Sequence, residues 1–386
     1  MTAEPQIKGL AKANDIYLHR SKRARELKSE CKKVLGYFCC FPAVELMTAL
    51  DFLPVRILGD MDEPITVADG YLPTVMCTFY RSCFDVGMKN RYDFIDGFIG
   101  AHACDGAERV SHIWPNYIKT PCNFYLDIPH TSSDKAVNFF REQLNYFKQK
   151  LEEYAGKTLE PERLKEAIAL HNKQRGLVRD LYHLRKPSPP LITGSEMLQV
   201  LIAIMMIPVE EGNAILEEVL DEVKTRSDQP EKQKGRLLIW GSLIDNIAFT
   251  DLIESSGFNI IIEDTATGTR PFWHDIEESP DPLHAVAQHY LLEVKCPRTF
   301  SASDTSYKED LEKRFGYLKD FAKYWNVNGV YGNIIRNCDI HGYEIPLVKD
   351  YLESLELPVL VIEQDYSTAA LESLRTRFQA FAEAIE

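Results

Sequence analysis

Short apolar stretches alternate with amphipathic helical stretches in two separate halves of this chain. Of all the features of the sequence, this pattern most strongly limits the folds that the chain can adopt. Buried strands are predicted at residues 32–38, 53–60, 94–103 and 122–129, and again at 236–241, 258–264, 329–337 and 358–365. Strands that alternate with helices form parallel sheets covered by helices on both faces. The sequence therefore predicts an α/β protein with two doubly wound parallel sheets.

Helical periodicity fills the region between the two sets of strands. Residues 134–154 and 160–184 carry apolar positions at helical spacing, residues 185–195 form a proline-rich break, and helices resume up to residue 223. At 386 residues the chain exceeds the size of most single cores, so we expect two domains. The predicted units are an N-terminal helical segment (1–31), a first α/β domain with a helical extension (32–190), a helical connector (191–234) and a second α/β domain (235–386).

Charge and hydropathy exclude several classes of function. The net charge of −14 argues against general nucleic-acid binding. The longest strongly apolar run, residues 198–209, is too short to span a bilayer and is broken by Pro208, so we expect a buried helix and no membrane association. The N-terminus lacks a secretory signal, so we expect a cytoplasmic protein whose nine cysteines are reduced.

Three cysteines lie in short motifs, each of which falls where an open α/β sheet would present it to a ligand: Cys77, Cys104 and Cys338. Ligands of open α/β sheets converge at the carboxyl ends of the strands, and thiolates there suit a soft metal or an iron–sulfur cluster. Three thiolates on one cubane leave one iron open to a further ligand or substrate. A single cysteine, by contrast, is usually a small buried hydrophobe, and no CxxC pair is present.

Several common catalytic motifs are absent from the sequence. There is no GxxxxGK[ST] phosphate loop and no GxGxxG fingerprint, so we expect that the chain does not bind ATP or a dinucleotide through either of these motifs. GxSxG and HExxH motifs are also missing. A cluster that performs a difficult reduction in such a chain needs electrons from another protein.

From about residue 32 onward, a family resemblance is carried by seven segments in this order: GYFCCFPAVELMTALDFLPVRILG, MCTFYRSCFDVG, ACDGAER, DPLHAVAQHYL, RNCDI, VIEQDYS and LRTRFQAFAEAI. The chain resembles the catalytic (D-component) subunits of 2-hydroxyacyl-CoA dehydratases and benzoyl-CoA reductases. The resemblance implies two Rossmann-like domains with a helical part. It also implies that Cys77, Cys104 and Cys338 hold a 4Fe-4S cluster.

The resemblance further implies a reaction and its partners. The β-hydrogen of a 2-hydroxyacyl-CoA is not acidic, and a one-electron reduction of the thioester to a ketyl radical anion allows the α-hydroxyl to leave. The implied partners are the acyl-CoA substrate, a homologous second subunit in a heterodimer and an ATP-hydrolysing iron–sulfur activator. Dehydration is the first interpretation. Aromatic ring reduction as in benzoyl-CoA reductase, a double-cubane reductase and a non-catalytic electron-relay subunit stay open beside it.

Several residues are weaker candidates. His102 and Asp105 are possible proton-transfer or orienting groups, although loop histidines and capping aspartates are common. Cys83 lies six residues after Cys77 and is an alternative ligand if the following helix begins earlier than expected. Cys39, with Cys40 beside it, ends a strand and is a second alternative, which matters for an 8Fe-9S double cubane with six thiols.

Two groups of basic residues remain open to interpretation. Arg81, Arg109 and Arg270 are possible contacts for coenzyme A phosphates or ordinary surface charges. The segment 19–33 carries seven Lys or Arg residues, and this pattern is typical of a solvated helix face or of a docking site for a partner. Cys31 and Cys296 are expected to lie outside the cluster site.

Overall fold

The computed structural model describes residues 8–300 and 306–385, and two four-stranded parallel sheets form its frame. In the first sheet the spatial order is β2-β1-β3-β4, with strands β1 (Val34–Tyr37), β2 (Leu53–Arg56), β3 (Gly97–Ala101) and β4 (Cys122–Leu126). In the second the order is β6-β5-β7-β8, with strands β5 (Gly235–Gly241), β6 (Phe258–Asp264), β7 (Gly329–Ile335) and β8 (Val359–Gln364). The predicted α/β class with doubly wound parallel sheets is confirmed.

The two sheets have the same topology, and this fixes where a site can form. In each sheet the first strand pairs with the second on one side and the third on the other, as Gly36 pairs with Val55 and with Phe98. The direction in which successive strands are added to the sheet therefore reverses between the neighbouring strands β1 and β3, and between β5 and β7. A crevice opens at the carboxyl ends of the strands at such a switch point.

Fourteen α-helices lie in the described residues, and their order alternates with the strands. They are α1 (Gly9–Leu18), α2 (Lys22–Ser29), α3 (Val44–Ala49), α4 (Thr78–Met88), α5 (Asp105–Tyr117), α6 (Asp134–Ala155), α7 (Pro161–His183), α8 (Gly194–Ile204), α9 (Val209–Thr225), α10 (Ile247–Ser255), α11 (Pro282–Gln288), α12 (Tyr307–Tyr324), α13 (Asp339–Glu353) and α14 (Glu372–Ala384). Short turns of other helix types lie at 68–70 and 368–370, and a π-helical turn spans His289–Glu293.

Local sequence explains the ends of the long helices in the middle of the chain. Ser133 caps α6 by accepting from the backbone N–H of Ala136, and Gly156 ends that helix in the left-handed conformation (φ 71°). Thr193 and Glu196 form a reciprocal capping box at the start of α8. The helices predicted at 134–154 and 160–184 are present as α6 and α7.

The apolar core is continuous between the two sheets. One buried cluster contains Leu35 and Ile99 of the first sheet together with Leu237 and Tyr331 of the second. The N-terminal helix α1 is fixed to α9, where Lys12 pairs with Glu218 at 2.7 Å. The division at 1–31, 32–190, 191–234 and 235–386 stays a prediction.

The central helices are buried in the protein. The predicted buried helix within 198–209 corresponds to the second part of α8, and Val200, Ile202 and Ala203 are fully covered. Across the described ranges 8–300 and 306–385, no helix combines the length and the apolar character needed to cross a bilayer.

Candidate functional site

A cavity of about 60 Å³ lies where the carboxyl ends of the two sheets meet, and five cysteine side chains line it. One water molecule needs about 10–15 Å³ on this scale, so the cavity has room for several non-hydrogen atoms. The cysteines come from loops in both halves of the chain. They are Cys39, Cys77, Cys104, Cys296 and Cys338.

Three of these cysteines stand at equivalent positions, each immediately before the first residue of a helix. Cys77 precedes α4, Cys104 precedes α5 and Cys338 precedes α13. The first turn of a helix has free backbone N–H groups and the positive end of the helix dipole. Three such helix ends directed at one cavity favour thiolates and other negative charge within it.

A glycine allows the first two of these helices to approach closely. A Cβ atom on Gly106 would lie 2.8 Å from Cδ2 of Tyr80 and 3.3 Å from Cβ of Cys77. The missing side chain at Gly106 therefore brings Cys104 next to Cys77.

Two hydrogen bonds tie the loop before α4 to the loop before α13. The backbone N–H of Thr78 donates to the carbonyl of Arg336 at 3.3 Å. Asn337 donates its side-chain N–H to the carbonyl of Thr74 at 3.2 Å. These bonds hold Cys77 and Cys338 at the same wall of the cavity, although 261 residues separate them in the sequence.

The thiols differ in how readily they lose a proton. A hydrogen bond from Cys77 lowers the pKa of Cys338 well below its ordinary value, and His341 adds to this effect. The same bond to Cys338, together with burial, raises the pKa of Cys77. Burial raises the pKa of Cys104. A metal that binds these thiols must displace their protons, and Cys338 gives up its proton first.

Two buried arginines at the cavity carry charge without a carboxylate partner in the described residues. Arg56 and Arg298 are each 2 % exposed, and the Nε atom of each has no hydrogen-bond partner. Arg56 donates to the carbonyl of Cys39, and Arg298 donates to the carbonyl of Ile128 at 2.8 Å. An unpaired buried cation is costly, so this environment favours an anionic occupant.

The chemistry of the lining residues fits an iron–sulfur cluster better than a single hard ion. Within residues 8–300 and 306–385, no three His, Cys, Asp or Glu side chains are gathered around a point that suits one metal ion. The described lining includes five thiols, three arginines and no carboxylate, and thiolates select soft metals and clusters.

The two alternative ligands behave differently in the structure. Cys39 lines the cavity and adopts a left-handed backbone conformation (φ 63°). Its hydrogen bond with Cys40, helped by the Arg56 charge, lowers the pKa of Cys39 to about 6. Cys83, by contrast, is fully buried within α4 and does not line the cavity. Because α4 begins at Thr78, Cys83 lies in its second turn and packs in the core, and this position favours Cys39 over Cys83 as a further ligand.

The weak catalytic candidates lie outside the cavity. His102 contacts Asp127 through Nδ1 at 2.9 Å and does not line the cavity. Asp105 is exposed and pairs with Arg109 at 2.8 Å along one face of α5. Both lie close in sequence to a cavity-lining segment, but helix and strand geometry turn their side chains away from it.

The structure adds residues that the sequence did not single out. Cys296, expected to lie elsewhere, lines the cavity, and so do Arg56, Arg298 and His341. Cys296 and Arg298 belong to one loop after the π-helical turn, where no strand pattern marks a site. His341 could have been identified from the sequence. It lies three residues after Cys338, and at the start of a helix this spacing places two side chains on the same face.

A larger cleft of about 430 Å³ adjoins the cavity, and Cys296 borders both. Its walls include Trp240, Lys295, Lys313 and Tyr317. This volume is within the range of small-molecule sites in proteins. Cys296 is thus shared by the walls of the cleft and of the cysteine-lined cavity.

Most of the candidate basic residues are paired within the chain. Arg81 pairs with Asp69, and among the three candidate arginines only Arg270 lines the cavity. In the 19–33 segment, Arg23 pairs with Glu211 at 2.7 Å. These contacts favour a structural role for Arg81 and Arg23.

Comparison with known proteins gives a consistent result over nearly the whole chain. The family model described as 2-hydroxyglutaryl-CoA dehydratase, D-component, matches residues 39–385. A benzoyl-CoA reductase subunit of Thauera aromatica is 24% identical over 360 residues, covering 92% of this chain and 91% of that protein. The (R)-phenyllactyl-CoA dehydratase beta subunit of Clostridium sporogenes is 22% identical, covering 94% of each. The (R)-2-hydroxyglutaryl-CoA dehydratase beta subunit of Acidaminococcus fermentans is 23% identical, covering 93% and 94%.

Proposed function

The chain belongs to the family of the 2-hydroxyglutaryl-CoA dehydratase D-component, and from this we propose that it is an iron–sulfur subunit of a 2-hydroxyacyl-CoA dehydratase. The observation that carries the proposal is the cavity lined by five thiols and by two arginines without carboxylate partners among the described residues. Three of the relatives are named as subunits of 2-hydroxyacyl-CoA dehydratases. A cytoplasmic location fits, because reducing conditions keep these thiols free.

In this proposal Cys77, Cys104 and Cys338 hold a 4Fe-4S cluster. Bound there, such a cluster would supply the low-potential single electron that a 2-hydroxyacyl thioester needs to form a ketyl radical anion and release its 2-hydroxyl group. Each thiolate is supported by the first turn of its helix. Cys39 and Cys296 remain available at the same cavity as further thiols.

The surrounding residues hold charge and exclude water. The guanidinium groups of Arg56 and Arg298 balance the negative charge of the thiolate-bound group in a buried setting. Phe79, Leu243 and Ile335 form apolar parts of the lining, which keep solvent from a reactive radical. We propose that the acyl thioester binds in the adjoining cleft, which shares Cys296 with the cavity.

The proposed reaction requires other proteins. The relatives carry subunit names, so a partner subunit is expected for this chain as well. We propose that the partner is a homologous subunit in a heterodimer. The electron is delivered by an ATP-hydrolysing iron–sulfur activator, because this chain has no phosphate loop.

The first experiment is anaerobic purification of the chain with its partner subunit, followed by iron analysis and an assay. We expect about four irons per copy of this chain, in addition to any held by the partner. With activator, ATP and a strong reductant, we expect 2-enoyl-CoA products from a panel of 2-hydroxyacyl-CoA esters. An iron-free chain after careful anaerobic reconstitution contradicts the proposal. Turnover without ATP or activator contradicts the electron-delivery scheme.

A second candidate function is reduction of benzoyl-CoA, which the 24% identity to a benzoyl-CoA reductase subunit favours. Both reactions add an electron to an acyl thioester and can use the same cysteine-lined cavity. Adding benzoyl-CoA to the same panel separates them, because ring reduction yields a cyclic diene thioester instead of a 2-enoyl thioester.

A double-cubane cluster and a relay role each have a distinct outcome in the same experiments. About eight irons in this chain favour a double-cubane cluster, for which Cys39 and Cys296 are the additional cavity thiols. A relay role predicts that the acyl-CoA does not perturb the cluster of this chain. An acyl-CoA-induced change in its electron paramagnetic resonance (EPR) spectrum supports substrate binding beside the cavity.

A further inference from the structure

A buried chain of hydrogen bonds leads from Cys338 into the second half of the protein. The Sγ of Cys338 lies 3.3 Å from Nδ1 of His341, and Nε2 of His341 lies 2.9 Å from Nη1 of Arg270. Arg270 binds both carboxylate oxygens of Asp264 at 3.2 Å, and Tyr317 donates to Asp264 at 2.8 Å. Asp264, at the end of β6, and Tyr317, in α12, form the far end of this series of hydrogen bonds.

The contact with Arg270 fixes which ring nitrogen of His341 carries the proton. A guanidinium group donates hydrogen bonds and cannot accept them, so Nε2 of His341 must accept. In the neutral imidazole the proton is then on Nδ1, which faces the sulfur of Cys338. The ring is held by an edge-to-face contact with Trp240, with centroids 5.4 Å apart.

The position of Arg270 is itself fixed. Its guanidinium also donates to the backbone carbonyl of Asp264 at 2.9 Å, and the arginine is 3 % exposed. Asp264 is 1 % exposed and accepts from both Arg270 and Tyr317. This network is fully paired, so neither Arg270 nor His341 can turn without leaving a buried group unpaired.

We propose that His341 is a positioning residue whose fixed Nδ1–H donates to the Cys338 thiolate and raises the reduction potential of the group held there. The proposal rests on the proposed cluster. One-electron reduction adds negative charge to the cluster and its thiolates, and an N–H donor stabilises that charge. The effect is strong here because the cavity is buried and the local dielectric is low.

The test compares reduction potentials in the iron-loaded chain with its partner subunit. His341→Phe keeps an aromatic ring beside Trp240 and removes the N–H donor. At the wild-type midpoint potential of this cluster we expect the ratio of reduced to oxidised cluster to fall about tenfold, which corresponds to about 59 mV for one electron. EPR-monitored titration with dithionite measures the ratio. His341→Gln retains an N–H donor, and we expect it to recover part of the shift.

His183→Phe is the matched control. The His183 ring stacks on Trp325, with centroids 5.7 Å apart, and it does not line the cavity. We expect this variant to keep the wild-type potential. An unchanged potential in iron-loaded His341→Phe overturns the proposal about His341 and leaves the cluster itself intact. Absence of iron in the wild-type chain contradicts the proposed function instead.

A second measurement does not depend on iron. In the iron-free chain labelled with nitrogen-15 in its histidines, the NMR signals of one ring should show a proton on Nδ1 and none on Nε2. These signals should disappear in His341→Phe. Assignment of the Nε2-protonated form to His341 overturns the proposal even if the variant fails to bind iron.

Discussion

At the scale of single residues, the cavity is marked by the balance of charge on two buried arginines beside its thiols. Arg175 and Arg185, which are buried elsewhere, pair with carboxylates, Arg175 with Glu45 and Arg185 with Glu263 at 2.7 Å. Within the part of the chain that the structure describes, Arg56 and Arg298 do not. Two buried cations without a carboxylate partner among the described residues, beside five thiols, indicate a site built for an anion.

Removal of the proposed ligands should release iron. For Cys77→Ser, Cys104→Ser and Cys338→Ser, we expect loss of most of the iron, because a hydroxyl is a poor replacement for a thiolate on iron. Iron analysis and the visible absorption of anaerobically reconstituted protein measure the loss. Cys31→Ser is the control, since Cys31 is exposed and far from the cavity lining. Full iron retention in all three variants shows that other thiols bind the cluster.

The charge of Arg56 should matter more to the loaded protein than to the iron-free one. In Arg56→Met we expect the stabilisation that the protein gains on cluster binding to fall by about 3–5 kcal/mol, because one of two compensating cations is lost. The difference between the unfolding free energies of loaded and iron-free protein measures this gain. Lys119→Met, an exposed change, serves as the control. If Arg56→Met lowers the unfolding free energy of the loaded and the iron-free protein equally, the role of Arg56 is purely structural.

At the scale of secondary-structure elements, the site depends on three helix starts that converge. The helices α4, α5 and α13 each begin one residue after a cysteine. Asp105 and Asp339 occupy the first positions of α5 and α13, where acidic residues favour helix initiation. The distance between α4 and α5 is set by Gly106, which has no space for a side chain.

Gly106→Ala should impair cluster binding through this helix contact. The added Cβ meets Tyr80 at 2.8 Å and forces the start of α5 away from α4, so we expect reduced iron content and lower thermal stability. Gly176→Ala is the matched control within a helix, since the nearest atom there is the end of Arg179 at 3.8 Å. For this control we expect a gain of about 0.5–1 kcal/mol and normal iron content. Normal iron in Gly106→Ala shows that the helix spacing is adaptable.

At the scale of the whole molecule, a buried polar cluster joins distant parts of the chain. Glu45 of α3 pairs with Arg175 of α7 and accepts a hydrogen bond from Tyr290 at 2.9 Å. Two buried histidines lie beside this pair. Burial and the Arg175 charge lower the pKa of His289 to about 3, and burial, with the same charge adding to it, lowers the pKa of His171 to about 4.

These two histidines should make the protein sensitive to mild acid. Their folded pKa values lie below the unfolded value of about 6.5, so the unfolded state binds protons first as the pH falls. Stability is therefore full above pH ~6.5 and decreases toward pH ~4, by about 2 kcal/mol for each histidine at pH ~5. Chemical denaturation of the iron-free chain as a function of pH measures the slope.

His289→Leu isolates one half of this effect. Because leucine does not titrate, we expect a shallower loss of stability between pH ~6.5 and ~4 than in the wild type. His112→Gln, on the exposed face of α5, should keep the wild-type slope. An unchanged slope in His289→Leu shows that folding does not lower the pKa of this histidine.

The sequence by itself determined the fold class and most of the elements. Strand β6 lies where the apolar run predicts it, and α6 extends one residue beyond its predicted end. These predictions succeed because strand and helix periodicity and capping are local properties of neighbouring residues. Cys77, Cys104 and Cys338 were also identified from sequence, since each adjoins a recognisable element.

Only the tertiary structure decided which other residues share the cavity. It placed Cys39 and Cys296 at the cavity, buried Cys83 in α4 and turned His102 and Asp105 outward. It also revealed that Arg56 and Arg298 lack carboxylate partners among the described residues and that Arg270 orients His341. Burial and charge pairing depend on residues that are distant in the sequence and meet only when both sheets are assembled, so no local pattern encodes them.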